Sequence, residues 1–580
     1  MSQPFNCFNE IWFVDFEFKA NLGEKQEPVC MVALEFRSGK TIKVWFGDES
    51  SLVIDRPPFD VSDSSLFVSY YASAEFGCFL SLGWEMPTRI LDLYVEFRNL
   101  TSGKKSFFGN SLLGALKYFG LPAMDHVEKD RLRDMILTKT SFSEEEKQEI
   151  IEYCALDVSS LKELFKVMSE LIDLPRALLR GRYMAAVAIM EFHGVPIDQA
   201  SLQKIKSRWD EIKLELIRQV DKDFNCYTET SFRIESFERL LASKHIHWPI
   251  LESGRLKLDD ETFKEMSIAY PELEPLRQLR KTISLLRFSE LGVGRDGRNR
   301  ALLSPFASKT GRNQPSNSRF IFGPAAWLRS LIQPKPGHSI AYIDYSQQEL
   351  AIAAAFSGDP KMLQAYESGD FYLAFAKLAG AAPADATKES HGAIRDQYKT
   401  VSLGVLYGLS AEGIARKLSV PLCVGRHLLM KHQEIFRRFW DWSTEVQDCA
   451  LLMKQVSTVF GWNYWLSDGS KINTRSLRNF PMQANGAEIL RLACCMGVES
   501  GIKICCPVHD AVLIEAPSEE INQRTEEMRS IMAEASRIVL GNLSLKTDYK
   551  IVHFPDRYMD PRGKGMWEKV SSLIGLEVYV

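Results

Sequence analysis

An α/β fold of more than one domain is predicted for this chain by three observations. At 580 residues it is too long for a single core. Its first part runs strand-like segments into mixed helices, the order of a layered α/β unit. Beyond Leu174-Pro175 the texture changes to long helical stretches, and strand-like segments return only late, so a boundary is placed there.

The elements follow in order. EIWFVDFEFKA (10–20), VCMVALEFRSG (29–39) and KTIKVWFGD (40–48) read as successive strands, with Ser38-Gly39 as a hairpin turn. LFVSYYA (66–72) is another strand and SAEFGCFLSLGW (73–84) a helix. SFSEEEKQEIIEYC opens a helical run over 143–171 on serine and acidic residues, as helix starts prefer. Residues 176–223 are helical, broken at HGVPID, and 224–300 mix short helices with turns. SKTGRNQPSNSRF (308–320) is a polar loop carrying Lys309, Arg312 and Arg319. Helices dominate 357–456, and strand-like patterns return at 457–473 and 502–515.

Bulk composition narrows the function classes. Lys+Arg 71 against Asp+Glu 75 gives a net charge of -4, so any nucleic-acid partner must be held by a local groove rather than by a basic tail. The 11 cysteines are scattered, with no CxxC, which indicates neither a zinc site nor a disulfide framework. No signal peptide and no apolar run of membrane-spanning length is visible, and an intracellular, cytoplasmic setting without a membrane partner is expected.

Two acidic turns carry the chemistry. AYIDYSQQEL reads as a strand running into a helix that begins near Ser346, with Asp344 at the strand's end. KICCPVHDAVLIEA reads as two strands with His509 and Asp510 at their turn. Between them RDQYKTVSLGVLYG reads as a helix with Arg395, Lys399, Leu403 and Tyr407 four apart on one face. Two carboxylates about 4 Å apart repel by roughly 4 kcal/mol at an effective dielectric near 20. A pair of Mg²⁺ ions removes that repulsion and activates a hydroxyl, while the cationic face holds a polyphosphate. The competing reading makes each aspartate a turn or helix cap, and Ser346 with Glu349 an S-x-x-E capping box. In the N-terminal part, Asp15 and Glu17 point to one side of a strand, which again asks for metal. Tyr153 and Asp157 are neighbours on a helix.

These segments resemble the DNA polymerase I family (family A). DYSQQEL resembles motif A, usually DYSQIELR; RDQYKTVSLGVLYG resembles motif B, RxxxKxxxFGxxYG; VHDA resembles motif C, VHDE. TRSLRNFPMQANGAEIL is similar to RxxxNxPxQGxAADI, and KTGRNQPS to TGRLSSxxPN. The resemblance implies an RNase H-like 3′→5′ exonuclease domain over 1–174, then a right-hand polymerase domain over 175–580. Its thumb covers about 195–300, its palm about 301–356 and 457–580, and its fingers about 357–456. It implies that Asp344, Asp510 and the Tyr345 carbonyl hold two Mg²⁺, with Mn²⁺ as a substitute. Arg395 and Lys399 hold the triphosphate, Lys399 protonates the leaving pyrophosphate, and Tyr345, Gln347, Leu403 and Tyr407 surround the nucleotide. Glu349 is the steric gate against a ribose 2′-hydroxyl. Arg312, Arg475, Asn479, Gln483 and His509 contact the primer-template.

For the N-terminal part the family's DxE, NxxxFD and YxxxD motifs are matched by Asp15 and Glu17, by Tyr71 and Glu75, and by Tyr153 and Asp157. Asp15, Glu17, Glu75 and Asp157 would bind metal and Tyr153 would orient a water, with Asp92 as a rival ligand to Glu75. The chain departs from the family at Leu403 (aromatic), Ala511 (acidic) and Ala351 (arginine). The function implied is a template-directed, proofreading DNA polymerase acting on primer-template DNA and dNTPs as a monomer. The absence of a visible 5′-nuclease segment suggests a phage or plasmid replication enzyme, with phage or host replisome partners. Rival functions are a DNA-binding 3′→5′ exonuclease with weak or specialised polymerase activity, a single-subunit RNA polymerase, and a non-catalytic DNA-binding protein.

Overall fold

The computed structural model describes residues 3–47, 54–105, 107–122, 126–284, 290–323, 325–467, 472–541 and 543–575. The first three strands form where their alternation puts them: β1 (Glu10–Lys19), β2 (Glu27–Glu35) and β3 (Thr41–Trp45). They make an antiparallel meander, and Gly39 takes φ 71° in the tight turn before β3, a conformation that favours glycine. β4 (Ser65–Ser69) and β5 (Ile90–Asp92) add in parallel on the other side of β1, giving the order β3-β2-β1-β4-β5. The strand expected over 66–72 stops at Ser69. Tyr71 turns left-handed, at φ 76°, and launches α1 (Ala72–Leu82). α2 (Leu93–Thr101) follows β5. The acidic segment at 143 gives α3 (Glu144–Met168), opened by a complete capping box between Ser143 and Glu146. α3 packs across β1 and β2.

At Leu174-Pro175 the chain enters a new helix, α4 (Leu174–His193), capped by Asp173 with proline in its first turn. α4 lies between the two halves of the chain. Met184 and Val187 join one apolar cluster with Trp12, Phe76 and Trp84 from the N-terminal part and with Ile489 and Ala493 from the C-terminal part. Arg180 of α4 reaches Glu96 of α2 through two 2.7 Å hydrogen bonds, both side chains buried. Beyond HGVPID, shorter helices (Gln199–Ser207, Trp209–Asp221, Ile234–Ser243, Asp260–Ala269, Glu274–Ser284) alternate with turns. The middle of this region has its own apolar cluster around Phe224, Phe237, Phe263 and Leu276. Residues 285–289 of the expected mixed segment lie outside the described residues.

A second sheet is antiparallel throughout. β6 (His338–Tyr345) is the strand expected before Asp344. α5 (Gln348–Ser357), α6 (Phe371–Leu378) and α7 (Gly392–Leu406) follow among other helices. The stretch expected to be strand-like over 457–473 yields only the short hairpin β7 (Gln455–Ser457) and β8 (Asn463–Trp465); its residues 468–471 lie outside the described residues. α8 (Thr474–Glu499) leads to β9 (Ile504–Val508), β10 (Ala511–Pro517), α9 (Ile521–Leu540) and β11 (Thr547–His553). The sheet order is β9-β10-β6-β11, so β6 runs between β10 and β11. β11 is a largely exposed edge strand whose polar residues do not alternate with apolar ones, which is why its sequence does not announce a strand. No helix of the described residues is long and apolar enough to cross a membrane.

Candidate active sites

The end of β6 and the β9–β10 turn bring the two distant aspartates together. Asp344 is paired across the sheet with Ala511 of β10 and Asp548 of β11. Asp510 occupies the turn just before β10, which is tightened by His509 at φ 57° and tied to β6 by the Tyr345 N–H donating to the Asp510 carbonyl at 3.2 Å. Both aspartates line a cavity of about 450 Å³ with Arg312, Tyr345, Gln347, Gln348, Glu349, Tyr372, Leu403, Tyr407 and His509. Burial pushes the Asp344 carboxyl up to about 6, helped by the negative charges of Asp510 and Asp548. Burial also raises Asp510. Carboxylates held where each resists ionising are what a hard divalent cation relieves, and oxygen donors of this kind suit Mg²⁺ or Mn²⁺. The Tyr345 side chain is buried and donates to the Met532 carbonyl at 2.8 Å, so only its backbone faces this chemistry.

α7 presents Arg395, Lys399 and Leu403 on one face, and Tyr407 caps its end. Arg395 Nε donates to Asp370 at 2.5 Å, and Asp370 in turn caps α6. The cationic groups of Arg395 and Lys399 stand 5.2 and 5.8 Å from the Tyr372 ring centre. Tyr372 and Asp370 were not found from sequence. The one available signal is Gly369-Asp370-Phe371, a helix start with no motif attached.

Several expectations are corrected here. The capping box at Ser346 and Glu349 does not form. The helix near Ser346 begins at Gln348, because Gln347 turns left-handed at φ 55° and takes the cap position. Ser346 Oγ donates instead to Asp548 at 2.6 Å. Glu349 accepts from the Tyr407 hydroxyl at 2.9 Å and from Arg312 at 3.3 Å, so it faces the cavity. Gln347 lines the cavity as well, while its amide donates to the Gly369 carbonyl and accepts from the Phe371 N–H, both at 3.2 Å, fastening α6 to β6. Of the residues expected at DNA, Arg312 and His509 line the aspartate cavity. Arg475, Asn479 and Gln483 line a neighbouring one that shares Tyr407. Asn479 Nδ2 donates to the Leu406 carbonyl at 2.9 Å and closes the end of α7.

In the N-terminal part, Asp15 and Glu17 of β1 and Asp157 of α3 each offer an oxygen within 4.8 Å of the others. Tyr153 lies one turn before Asp157, and burial beside these three carboxylates holds its hydroxyl protonated well above its ordinary range. Glu75 is not among the converging oxygens. It is 4% exposed, and its Oε2 accepts from the Phe16 N–H at 2.8 Å. Burial and the neighbouring Asp15 raise its pKa well above the usual carboxylate range. The turn at Tyr71 sets this direction, aiming the first turn of α1 at the backbone of β1. Asp92 is no rival ligand, since it accepts from the N–H groups of Tyr71, Ala72, Tyr94 and Val95 and caps α2.

Comparison with known proteins bears on the part of the chain that holds Asp344 and Asp510. The model of DNA polymerase family A matches residues 315–553. DNA polymerase I of Aquifex aeolicus (strain VF5) is 23% identical over 443 residues, 69% of this chain and 74% of that protein. DNA polymerase I of Chloroflexus aurantiacus is 25% identical over 447 residues, 70% of this chain but 47% of that protein, so the chain spans about half the length of that relative. A DNA polymerase of Mycobacterium phage D29 is 24% identical over 421 residues, 70% of this chain and 67% of the phage protein. The solved POL domain of Pol1 from M. smegmatis, in complex with DNA primer-template and dNTP, shares the fold with a TM-score of 0.71 over 93% of this chain and 95% of that one, at 18% identity. Residues 315–553, which the model of DNA polymerase family A matches, hold both aspartates, α7 and the whole second sheet.

Proposed function

We propose that this chain is a template-directed DNA polymerase that carries a 3′→5′ proofreading exonuclease. One observation carries the first half of this reading: Asp344 and Asp510 share a cavity with Leu403, Tyr407 and Tyr372, and the cationic groups of Arg395 and Lys399 stand against the Tyr372 ring. Arg395 and Lys399 bind the triphosphate of a dNTP, and Lys399, which is exposed, gives a proton to the departing pyrophosphate. Tyr407 supports the base pair, and Glu349, fixed by Tyr407 and Arg312, crowds the sugar where a ribose carries its 2′-hydroxyl. Asp344, Asp510 and the Tyr345 carbonyl are the groups that would hold Mg²⁺, with Mn²⁺ as a substitute. A bound pair of such ions would lower the pKa of the attacking 3′-hydroxyl and stabilise charge on the leaving oxygen.

The exonuclease half rests on the convergence of Asp15, Glu17 and Asp157 beside Tyr153. In this reading residues 1–174 are the RNase H-like proofreading domain. Residues 175–580 are the right hand, with thumb at about 195–300, palm at about 301–356 and 457–580, and fingers at about 357–456. The protein acts as a monomer on primer-template DNA in the cytoplasm, in replication of a phage or plasmid genome with replisome partners.

A labelled primer-template incubated with Mg²⁺ tests both halves. Extension with dNTPs and shortening without them are expected. The variant Asp510→Ala is expected to bind duplex as wild type does and to extend nothing. Undiminished extension by that variant would refute the assignment of Asp510.

A further inference from the structure

We propose that Gln348 is a specificity-determining residue for the incoming nucleotide, its carboxamide donating to the sugar 3′-hydroxyl. This rests on the polymerase reading above. Gln348 opens α5 and lines the cavity of Asp344 and Asp510, yet it is only 3% exposed. Its Nε2 is shielded and has no hydrogen-bond partner. A buried donor left unpaired is destabilising, and such a group in a native structure calls for an explanation. The polar side chains next to it are engaged: Gln347 with Gly369 and Phe371, and Glu349 with Tyr407 and Arg312.

The seat of Gln348 is specific. On α8, a Cβ at Gly486 would come within 2.7 Å of Gln348 Oε1. The usual motif forms quoted above place isoleucine at the position of Gln348 and alanine at that of Gly486. This chain changes both, and the two changed positions meet. Leu403, in place of an aromatic ring, lines the same cavity and offers no stacking surface. With the cationic face of α7 for phosphates and Tyr407 for the base, the sugar falls between them. A deoxynucleotide sugar carries one hydroxyl, at 3′, able to accept from a carboxamide.

The test compares dNTP with 2′,3′-dideoxynucleotide incorporation, as a ratio of kcat/KM, in the full chain. Gln348→Met keeps the length and removes the donor. The preference for the dNTP is expected to fall about tenfold or more, because a site built to bond a hydroxyl rejects the analogue lacking it. The melting temperature is expected to hold or rise. Gly486→Ala, which displaces the carboxamide, is expected to lower the ratio in the same direction, and it decides the matter if Gln348→Met does not fold. Wild type that extends primers, with the ratio unchanged in the folded variants, overturns this inference alone. Wild type that extends no primer overturns the polymerase reading and this inference with it.

Discussion

Asp344 links the charge of its cavity to pH. Its carboxyl, held at about 6, sits above the roughly 3.9 of an unfolded chain. The metal-free folded protein therefore binds more protons than the unfolded chain between about pH 4 and pH 6. Through that window this group lowers stability as pH rises, and above it the cost is complete. Protons and cations compete for the same oxygens, so Mg²⁺ affinity is expected to fall below about pH 6, by up to about tenfold per unit. Calorimetric titration of Mg²⁺ from pH 5 to 8 measures this, and a flat affinity would exclude Asp344 as a ligand. Glu349 shows how far a single residue is legible. Sequence spacing allowed a helix cap or a gate, and only the left-handed turn at Gln347 removes the cap, by starting the helix too late for Ser346 to cap it. Glu349→Ala is expected to raise ribonucleotide incorporation by about tenfold or more, since one group in a pocket is worth about 1–3 kcal/mol of discrimination. If single-ribonucleotide insertion does not change, Glu349 serves only to tether Tyr407 and Arg312.

Single elements carried most of what the sequence could reveal. The period of two in β1 put Asp15 and Glu17 on one side, and the period of 3.6 in α3 paired Tyr153 with Asp157. Neither period says which way the first turn of α1 faces, and so neither shows that Glu75 bonds the backbone of β1. A left-handed residue at Tyr71 aims it at the Phe16 N–H. β11 escaped notice for a related reason: an edge strand exposes polar residues on both sides, and its place beside Asp344 is a tertiary fact. The proposed nuclease site separates these roles by experiment. Asp15→Ala is expected to end 3′→5′ degradation of a primer. Glu75→Gln is expected to keep it, because burial and Asp15 already favour the neutral acid, and the amide is its near isostere. Loss of degradation in Glu75→Gln would mean that Glu75 swings into the ligand set when metal binds.

Across the whole molecule, the sequence break at Leu174-Pro175 is real as a change of texture, yet the packing does not stop there. α4 starts at that point and buries Met184 and Val187 in a cluster shared with Trp12 and Phe76 on one side and Ile489 on the other. The β7–β8 hairpin ties the halves again: the Trp465 N–H donates to the Ser102 carbonyl at 2.8 Å, and the Asn463 N–H donates to Asn99 at 2.7 Å. Long-range contacts of this kind leave no periodic trace in a sequence, so a boundary drawn from composition overstates independence. The buried Arg180–Glu96 pair measures the coupling. Glu96→Ala leaves a guanidinium buried without its partner, and such a loss costs about 3–5 kcal/mol. Urea unfolding of the full chain is expected to show a deficit of that size. A fragment of residues 175–580 has a different defect: it exposes the apolar face of α4, and it is expected to melt well below the full chain or to aggregate. A fragment as stable as the full chain, together with a silent Glu96→Ala, would show that the shared cluster contributes nothing to holding residues 175–580 together.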